Sequence, residues 1–354
     1  MDYGAFMSNT LVANSVSELI GDTDIVRINS LSEISGCEIL LKCEHQNPGG
    51  SIKDRAALQL VTDAIESGKL KPGMTIVEGT AGNTGIGLAL VAKALGYKML
   101  VVMPKGQAQE KERMIALHGA DLLLVDPCPF SNPKHFYHTA KRIGAENEDY
   151  WWADQFENLS NYRAHYLNTG PEIWEQTQGK IDALVSVVGT GGSIAGNSHY
   201  LSEKNPNLKT WAIDRWIWDL FLSKSGEYKS SGSSFTEGIG IMREVENFRQ
   251  AKINHAINLP DQDLVTISRL VAEKDGILLG SSSSLNVAGA LYAAARMGKG
   301  NTIVTFSCDL AERSYSKLYN LEFLKEKGIK LDKETLPELW ARYQADGDEK
   351  VVNV

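Results

Sequence analysis

Lys53 is the residue whose type and surroundings most directly allow covalent chemistry. It follows the tight turn Asn47–Ser51 and stands at the start of a helical pattern. A lysine amine can form an imine with an aldehyde. Far downstream, Gly189–Ser193 is a turn of small residues between the apolar run Ala183–Val188 and a second helical pattern. A glycine-rich turn that opens a helix offers its backbone N–H groups to a phosphate.

Together, the two segments predict a small molecule that carries both an aldehyde and a phosphate, and pyridoxal 5′-phosphate fits that description. Each segment alone has a simpler interpretation, since a lysine can be a solvated surface residue and a small-residue turn can merely join a strand to a helix. Two other phosphate motifs are missing: the sequence contains no GxxxxGK[ST] loop and no GxGxxG motif with an acidic residue downstream.

A third segment, Glu78–Gly87, lies between the first two along the chain. With all three in this order, the chain resembles the cysteine synthase and cystathionine β-synthase family of fold-type II pyridoxal-phosphate enzymes, in particular its cysteine synthase A-like branch. The resemblance runs from about Ser17 to about Gly328. It also includes the shorter motifs Gln155–Phe156, Thr169–Glu172 and Glu237–Gly240.

The resemblance implies an α/β fold with two three-layer α/β/α lobes and mainly parallel sheets, similar to the β subunit of tryptophan synthase. We expect residues 1–47 and 158–330 to form the larger, cofactor-binding lobe and residues 48–157 the smaller, mobile lobe. Residues 331–354 would form a C-terminal tail, with a weak helix at Leu336–Tyr343 and a polar end that frays. The cofactor would lie in the cleft between the lobes.

The sequence pattern itself also predicts an α/β protein, because short apolar runs alternate with longer amphipathic stretches. The predicted strands are Thr75–Glu78, Met99–Met103, Leu122–Val125, Leu184–Val188, Thr210–Ile213, Ile277–Leu279 and Thr302–Ser307. Helical patterns begin near Lys53, Asn83, Gln109, Tyr162, Ile194, Leu264 and Leu285. The Ser/Gly-rich stretch Ser223–Ser234 is typical of a mobile surface loop.

Composition and charge narrow the functional class. The chain has 354 residues, enough for two lobes, and its 43% hydrophobic and 23% charged residues are typical of a globular protein. Its net charge of −8 argues against nucleic-acid or anionic-membrane partners, which need a basic patch. The four cysteines form no CxxC pair, so reduced thiols and no metal site are expected. We therefore expect a cytoplasmic protein with no targeting or membrane-spanning segment.

The resemblance assigns the cofactor contacts. Lys53 would form the imine with the cofactor and, once freed and kept neutral by burial, accept the proton from the substrate Cα. Asn83 would hydrogen-bond the ring oxygen, although its position equally suits a helix N-cap. Ser282 would face an unprotonated pyridine nitrogen, with Ser281 and Ser283 as alternatives. The phosphate would be held by Gly189, Thr190, Gly191, Gly192 and Ser193.

The resemblance also implies a site for the substrate carboxylate. Its residues would be Thr80, Ala81, Gly82, Asn83, Thr84 and Gln155. Gln155, taken by itself, equally suits a structural role. Because the 80–84 loop belongs to the smaller lobe, carboxylate binding would draw that lobe onto the larger one and exclude water.

The implied activity is that of a cysteine synthase (O-acetylserine sulfhydrylase), which replaces the acetate of O-acetylserine by sulfide through an aminoacrylate intermediate. An L-cysteine desulfhydrase, which converts cysteine to pyruvate, ammonia and sulfide, shares that intermediate, so the cofactor motifs do not separate the two. Cystathionine β-synthase is a third alternative. A catalytically inactive, protein-binding relative is disfavoured because Lys53 and the phosphate loop are intact. The resemblance also implies a homodimer, and it leaves open whether a serine acetyltransferase docks.

The chain departs from its better-known relatives on the substrate side of the expected site. Ala81 stands where they carry serine, and Ser284 replaces a glycine. Thr23 is followed by Asp24 in place of proline. The reaction class, chemistry at Cβ of an amino acid, is therefore better supported than the substrate.

Two further features concern specificity. The aromatic segment Trp211–Phe221 stands where relatives place an Asp-Pro stretch, and we expect it either to pack in the core or to reshape the substrate pocket. The segments Pro104–Lys111 and Asp126–His138 resemble a less-studied branch that includes cysteine desulfhydrases.

Overall fold

The structure is a computed structural model that describes residues 12–80, 82–213, 234–240, 243–331, 334–347 and 351–353. Its strands are β1 (Ile25–Arg27), β2 (Glu38–Lys42), β3 (Thr75–Gly79), β4 (Lys98–Pro104), β5 (Asp121–Val125), β6 (Tyr150–Trp152), β7 (Ala183–Val187), β8 (Lys209–Ile213), β9 (His255–Ile257), β10 (Thr302–Phe306) and β11 (Val351–Asn353).

The described α-helices are α1 (Asn29–Ser35), α2 (Lys53–Glu66), α3 (Asn83–Ala94), α4 (Gln109–Leu117), α5 (Phe136–Glu146), α6 (Ser160–Ala164), α7 (Gly170–Gln176), α8 (Gly192–Lys204), α9 (Glu246–Arg249), α10 (Asp261–Asp275), α11 (Ser281–Met297), α12 (Leu321–Glu326) and α13 (Leu336–Ala345). Short 3₁₀ turns cover Val16–Leu19, Glu44–Gln46 and Ala311–Arg313, and a π-helical turn at His165–Thr169 joins α6 to α7.

The smaller sheet contains four parallel strands in the order β5-β4-β3-β6. Strand β3 is almost wholly buried, as expected for a parallel strand that helices cover on both faces. Helices α2 and α3 pack against each other beside this sheet. A buried cluster that includes Leu60, Ile76, Ile86 and Val101 forms the core of this region.

The larger sheet contains seven strands in the order β1-β2-β10-β7-β8-β9-β11. Its inner strands are parallel, whereas the three-residue edge strands β1 and β11 are antiparallel to their neighbours. Helix α11 packs closely on this sheet at Gly289, where an added Cβ would overlap the side chain of Ile213. The core here is separate and larger, and it includes Val185, Leu291 and Val304.

Six of the seven predicted strands are present in the structure. Each of the predicted strands is present with ends within one residue of the prediction, except Ile277–Leu279. That prediction is wrong, because only Leu279 forms an isolated bridge, to Leu310. The helices predicted at Lys53, Asn83 and Gln109 begin at those residues, and the other four begin two to four residues earlier than predicted. Strands β1, β2, β6, β9 and β11 were not predicted.

The C-terminal segment is more ordered than its composition indicated. Helix α13 begins with a capping box at Thr335 and buries Leu339 and Tyr343 in the larger core. Beyond it, Val351 pairs with Ile257 of β9. The expectation that the polar end frays is therefore wrong for residues 351–353, which complete the sheet.

The turn before Lys53 is fixed by close backbone contacts. Gly49 donates its N–H to Asp54 Oδ2 at 2.5 Å, and Gly49 O accepts a hydrogen bond from Arg313 Nη2 at 2.7 Å. A side chain at Gly49 would lie within 2.5 Å of the Asp54 carboxylate, and Gly50 has a φ of +79°, which favours glycine. The Pro/Gly turn therefore sets the position at which α2 begins.

Within the described ranges, no helix is both long and apolar enough to cross a membrane, and no cluster of His, Cys, Asp and Glu could hold a metal ion. The four cysteines are free. The predicted mobile loop at 223–234 lies outside the described residues, apart from Ser234. Trp211 packs in the larger core, one of the two expectations for the aromatic segment, and residues 214–221 of that segment lie outside the described residues.

Candidate active site

One cavity of about 220 Å³ brings most of the predicted site residues together. It is lined by Lys53, Thr80, Gly82, Asn83, Thr84, Gln155, Gly189, Thr190, Ser193 and Ser282. Gly191 and Gly192 belong to the same loop as Gly189 but do not line the cavity, and Ala81 lies outside the described residues. Segments more than 200 positions apart in the chain therefore meet at one place.

The topology explains this convergence. The segments that line the cavity follow the carboxyl ends of parallel strands: Thr80 follows β3, Gly189 follows β7 and Cys308 follows β10. Helices α2, α3, α8 and α11 begin nearby, at Lys53, Asn83, Gly192 and Ser281. In open α/β sheets, ligands bind outside the carboxyl ends of the strands, where helix N-termini also point.

Lys53 reaches the cavity with its amine free. Within the described part of the chain, this amine makes no hydrogen bond or ion pair. Burial lowers the pKa of Lys53, and the neighbouring Cys308 and Asp309 oppose that shift. An amine that loses its proton more readily than an exposed lysine suits both attack on an aldehyde and proton acceptance.

The Gly189–Ser193 loop has room for backbone only. An added Cβ would overlap Gly238 O at Gly189, the backbone of Phe248 at Gly191 and the Asn161 amide at Gly192. Asn161 Nδ2 donates to Thr190 Oγ1 at 2.8 Å, so the Thr190 hydroxyl proton is left to be donated elsewhere. Two hydroxyls and the N-terminus of α8 thus face the cavity, as an anion site requires.

Asn83 does not cap its helix with its side chain. The cap position of α3 is Gly82, and no side chain accepts a hydrogen bond there. Instead, Asn83 Nδ2 donates to Asp309 Oδ2 at 2.6 Å, while Asn83 Oδ1 is buried without a partner among the described residues. The N-cap alternative for this side chain is therefore wrong.

Ser282 differs from the serines beside it. Ser283 Oγ donates to Asp309 O at 2.6 Å and Ser284 Oγ donates to Gly280 O at 2.9 Å, so both hydroxyls are occupied by backbone. Ser281 lies close to Ser314 and does not line the cavity. Ser282 lines the cavity and contacts Cys308 through its hydroxyl. Of the three alternatives, Ser282 is the one whose position suits a contact with a bound ring.

Gln155 is held by hydrogen bonds in the cavity wall. Its Nε2 donates to Glu78 Oε1 and to Gly79 O, both at 3.1 Å, and its Oε1 accepts from Thr84 Oγ1 at 2.6 Å. Glu78 is fully buried, and burial together with the nearby Asp154 raises its pKa to about 8. The protein thus orients the Gln155 amide. Both of its N–H groups are used within the protein, so neither is free to donate to a substrate carboxylate.

A group of charged residues at the cavity, Glu237, Lys111 and Lys317, was not predicted from the sequence as part of the site. Glu237 Oε2 pairs with Lys111 Nζ at 2.6 Å, and Glu237 Oε1 accepts from Ala108 N at 3.0 Å and pairs with Lys317. Close by, Glu110 Oε1 accepts from Ser316 N at 3.1 Å. Lys111 is nearly wholly buried and lies against Gly82. The only signal for Glu237 was its place in the Glu237–Gly240 motif.

The remaining lining residues are mainly apolar or backbone. They are Ile52, Phe136, Phe156, Ser186, Val187, Gly238, Ile239, Gly240 and Cys308. Burial raises the pKa of the Cys308 thiol to about 12, so the thiol stays protonated. Phe136 and Phe156 contribute apolar aromatic faces to the lining.

Residues 16–309 match the family described as pyridoxal-phosphate dependent enzyme. The chain is 42% identical over 324 residues to cysteine synthase 1 of Neurospora crassa, and the alignment covers 90% of this chain and 86% of that protein.

Solved structures of related enzymes have a similar fold. The fold is similar to the crystal structure of a cysteine synthase from Entamoeba histolytica, with a TM-score of 0.83 and 30% identity over 98% of this chain and 100% of that one. It is also similar to the crystal structure of a hydrogen sulfide-producing enzyme from Fusobacterium nucleatum, with a TM-score of 0.75 and 32% identity over 86% of this chain and 98% of that one.

Proposed function

Because the chain belongs to the pyridoxal-phosphate-dependent enzymes, we propose that it is a cysteine synthase that replaces the acetate of O-acetylserine by sulfide. The observation that carries the proposal is the free amine of Lys53, which shares one cavity with the glycine loop Gly189–Ser193. The chain surrounding this cavity is similar to proteins named cysteine synthase over most of its length.

The residues present fit the cofactor. At Gly189, Gly191 and Gly192 a side chain would overlap its neighbours, so the loop can bring backbone N–H groups close to a phosphate. Asn83 Nδ2 uses one N–H on Asp309 and keeps a second N–H beside the cavity, and Ser282 lines the cavity with a hydroxyl. Pyridoxal phosphate, when bound, supplies an aldehyde that condenses with amines and a ring that withdraws electrons from the substrate α-carbon.

Lys53 is proposed to move the substrate proton. Its amine would accept the proton from the substrate Cα, since burial favours the neutral form that a base requires. The same side chain faces Cys308, which stays protonated and so does not compete as a nucleophile. A single residue would thus both hold the cofactor and act as the base.

The substrate carboxylate is proposed to bind the 80–84 loop. Thr80 Oγ1 accepts a hydrogen bond from Gly82 N at 3.2 Å, which leaves the Thr80 hydroxyl proton free to be donated. At the start of α3, Gly85 N and Ile86 N donate to Gly82 O, whereas the N–H groups of Asn83 and Thr84 precede the first bonds of the helix and are available to an anion. The Thr84 hydroxyl donates its proton to Gln155 Oε1. We therefore propose that Gln155 holds this loop in shape, and that the Gln155 side chain contacts the substrate carboxylate only after this side chain has moved.

We also propose that residues 48–157 move as a lobe. Three polar contacts between this segment and the rest of the chain lie at the cavity, namely Asn83 with Asp309, Lys111 with Glu237 and Glu110 with Ser316. Helix α2 is held separately, by Arg55 with Glu44 and Glu172 and by Asp63 with Ser160. Contacts at the mouth of a cavity can break for substrate entry and form again for chemistry.

A second candidate function is an L-cysteine desulfhydrase. The similarity to a hydrogen sulfide-producing enzyme favours it, and so does the resemblance of the Pro104–Lys111 segment to that branch. Lys111, which stands in that segment, lines the cavity and is therefore placed to influence which substrate is accepted.

One assay distinguishes the two activities. The purified protein, supplied with pyridoxal 5′-phosphate, is given O-acetylserine and sulfide while cysteine is measured, and cysteine alone while sulfide and pyruvate are measured. We expect cysteine formation to have the higher kcat/KM. A higher kcat/KM for sulfide release would assign the desulfhydrase, and a protein that binds no pyridoxal phosphate would refute both.

On the strength of the family relationship alone, we propose that the protein is a homodimer in the cytoplasm and that it can dock a serine acetyltransferase. Multi-angle light scattering tests the oligomeric state, because a homodimer has twice the chain mass of 38.8 kDa. Co-elution with a serine acetyltransferase tests the last. A monomer mass at working concentration would remove the dimer from the proposal.

A further inference from the structure

Asp309 adjoins the cavity without lining it, and it contacts two elements proposed to hold the cofactor. Its carboxylate is nearly fully buried, and Oδ2 accepts the hydrogen bond from Asn83 Nδ2 at 2.6 Å. Its main chain is bonded to the start of α11. Gly280 N donates to Asp309 O at 3.1 Å, and Ser283 Oγ donates to the same oxygen at 2.6 Å.

Gly280 leaves the space in which this carboxylate lies. A Cβ at Gly280 would overlap Asp309 Oδ1. The φ of Gly280 is −71°, an ordinary value for any residue, so the backbone conformation does not require glycine here. Glycine is needed at position 280 because a larger side chain would occupy the space of the Asp309 carboxylate.

The hydrogen bond fixes which way the Asn83 amide is turned. Burial raises the pKa of Asp309, and the charge of Lys111, the Asn83 hydrogen bond and the charge of Arg313 oppose that rise. In its ionised form the carboxylate only accepts hydrogen bonds, so it selects the amide nitrogen of Asn83 and not the amide oxygen. One N–H of that nitrogen is used by Asp309, and the other remains available. Because Asn83 lines the cavity, a free N–H at this position can be donated to a ligand oxygen there.

We propose that Asp309 is a positioning residue, which turns the Asn83 amide so that its nitrogen donates to the ring oxygen of the cofactor, and which couples this amide to the Ser282 turn. The inference rests on the proposed function, because it requires pyridoxal phosphate in the cavity. Asn83 follows strand β3 of the smaller sheet and Asp309 follows β10 of the larger one, so the contact spans both sides of the site.

Two variants disturb this contact in different ways. Asp309→Asn keeps the shape but removes the charge, so that either end of the Asn83 amide can face it. Gly280→Ala keeps the carboxylate but pushes it out of its place. A matched control is Asp182→Asn, because Asp182 Oδ2 accepts from Thr302 N at 2.8 Å at the opposite end of β10.

The test measures cofactor binding as well as activity. Apo-protein is titrated with pyridoxal 5′-phosphate, the visible circular dichroism of the bound cofactor is recorded, and the unfolding temperature of each apo-protein is compared. We expect Asp309→Asn to raise the dissociation constant about tenfold, the loss typical of one charge-assisted hydrogen bond. Gly280→Ala should shift the dissociation constant and the circular dichroism in the same direction, and Asp182→Asn should match the wild type.

A double-mutant cycle separates positioning from a general structural role. If Asp309 acts through Asn83, then Asp309→Asn should change the dissociation constant less than about twofold in an Asn83→Ala background. Equal effects in both backgrounds would overturn the inference. Should Asp309→Asn fail to fold, the cycle is run with Gly280→Ala.

The outcomes also distinguish this inference from the function on which it rests. A wild-type protein that binds no pyridoxal phosphate overturns the proposed function and the inference with it. Normal binding by the wild type, together with an unchanged dissociation constant and circular dichroism in Asp309→Asn, overturns the inference alone.

Discussion

Lys53 carries the amine that the proposed reaction needs, and it contributes to neither hydrophobic core. We therefore expect Lys53→Ala to abolish turnover while the protein stays folded. Steady-state assays measure the first effect and far-ultraviolet circular dichroism the second. Lys71→Ala, at an exposed lysine in a turn, is the matched control and should keep full activity. Turnover at the wild-type rate in Lys53→Ala would contradict the proposed role.

Glu78 should make the stability of the protein depend on pH. Burial and Asp154 raise its pKa from 4.5 to about 8, so the native state holds this proton more tightly than the unfolded chain does. The free energy of unfolding should therefore fall as pH rises from about 4.5 to about 8. Glu78→Gln, which is neutral at every pH and keeps an acceptor oxygen for Gln155, should make this decline shallower.

Urea unfolding of the apo-protein at several pH values measures the effect of Glu78→Gln. A decline should remain in the variant, because burial also raises the pKa of Asp54 to about 7 and that of Asp154 to about 6. Parallel curves for wild type and variant would show that Glu78 ionises normally in the folded protein.

The sequence indicated Lys53 and the Gly189–Ser193 loop through the chemistry of their residue types, whereas Asn83, Gln155 and Ser282 were assigned by the family resemblance. Lys53 follows a tight turn, and Gly189–Ser193 joins a strand to a helix. Asp309 and Cys308 gave no such signal. Asp309 contacts Asn83, which is more than 200 positions away in the chain, and one sequence does not reveal such a contact.

Among the secondary-structure elements, the phosphate loop allows the most direct test. A Cβ at Gly192 would overlap the amide of Asn161, which is held by hydrogen bonds to Gln155 O and Thr190 Oγ1, both at 2.8 Å. Gly192→Ala should displace the loop and weaken pyridoxal phosphate binding by about tenfold or more. Fluorescence titration of the apo-protein measures this affinity.

The control for the loop is a glycine with open space around it. Gly347 has no atom within 4 Å of an added Cβ, so Gly347→Ala should bind the cofactor as the wild type does. If Gly192→Ala also binds normally, close backbone approach at this loop is not needed.

Burial explains some of the strands that the sequence predicted and missed, but not β5, which was predicted although largely exposed, or β2, which was missed although largely buried. Strands such as β7 are buried along their whole length and appear as continuous apolar runs. The short edge strands β1 and β6 have only three residues each and are partly exposed, so no pattern distinguishes them from loops. Their pairing is decided by the neighbouring strand and by tertiary packing, which local propensity does not encode.

For the molecule as a whole, Glu237 connects helix α4 with the segment around Lys317. It accepts from Ala108 N and pairs with Lys111 and Lys317. Glu237→Gln leaves the buried ammonium of Lys111 without its counter-charge, which should lower the free energy of unfolding by about 3 kcal/mol. The variant should also have a raised KM for the amino-acid substrate, because the cavity mouth closes less readily.

The same substitution at the surface provides the control. Glu38 pairs with Arg27 at 2.8 Å, but the two side chains are 54% and 36% exposed. Glu38→Gln should therefore change stability by less than about 1 kcal/mol and leave KM unaltered. Urea unfolding and initial-rate kinetics give both quantities, and equal effects of the two substitutions would argue against a connecting role for Glu237.

The composition of the two sheets has a consequence for the order of events during synthesis. The four-stranded sheet draws on one continuous stretch, from Thr75 to Trp152, whereas the seven-stranded sheet needs both Ile25–Arg27 and Val351–Asn353. A growing chain can therefore complete the first sheet while the second still waits for its later strands. Since the cavity needs Ser282 and Cys308 as well as Asn83, the nascent protein gains its cofactor late, after most of the polypeptide has left the ribosome.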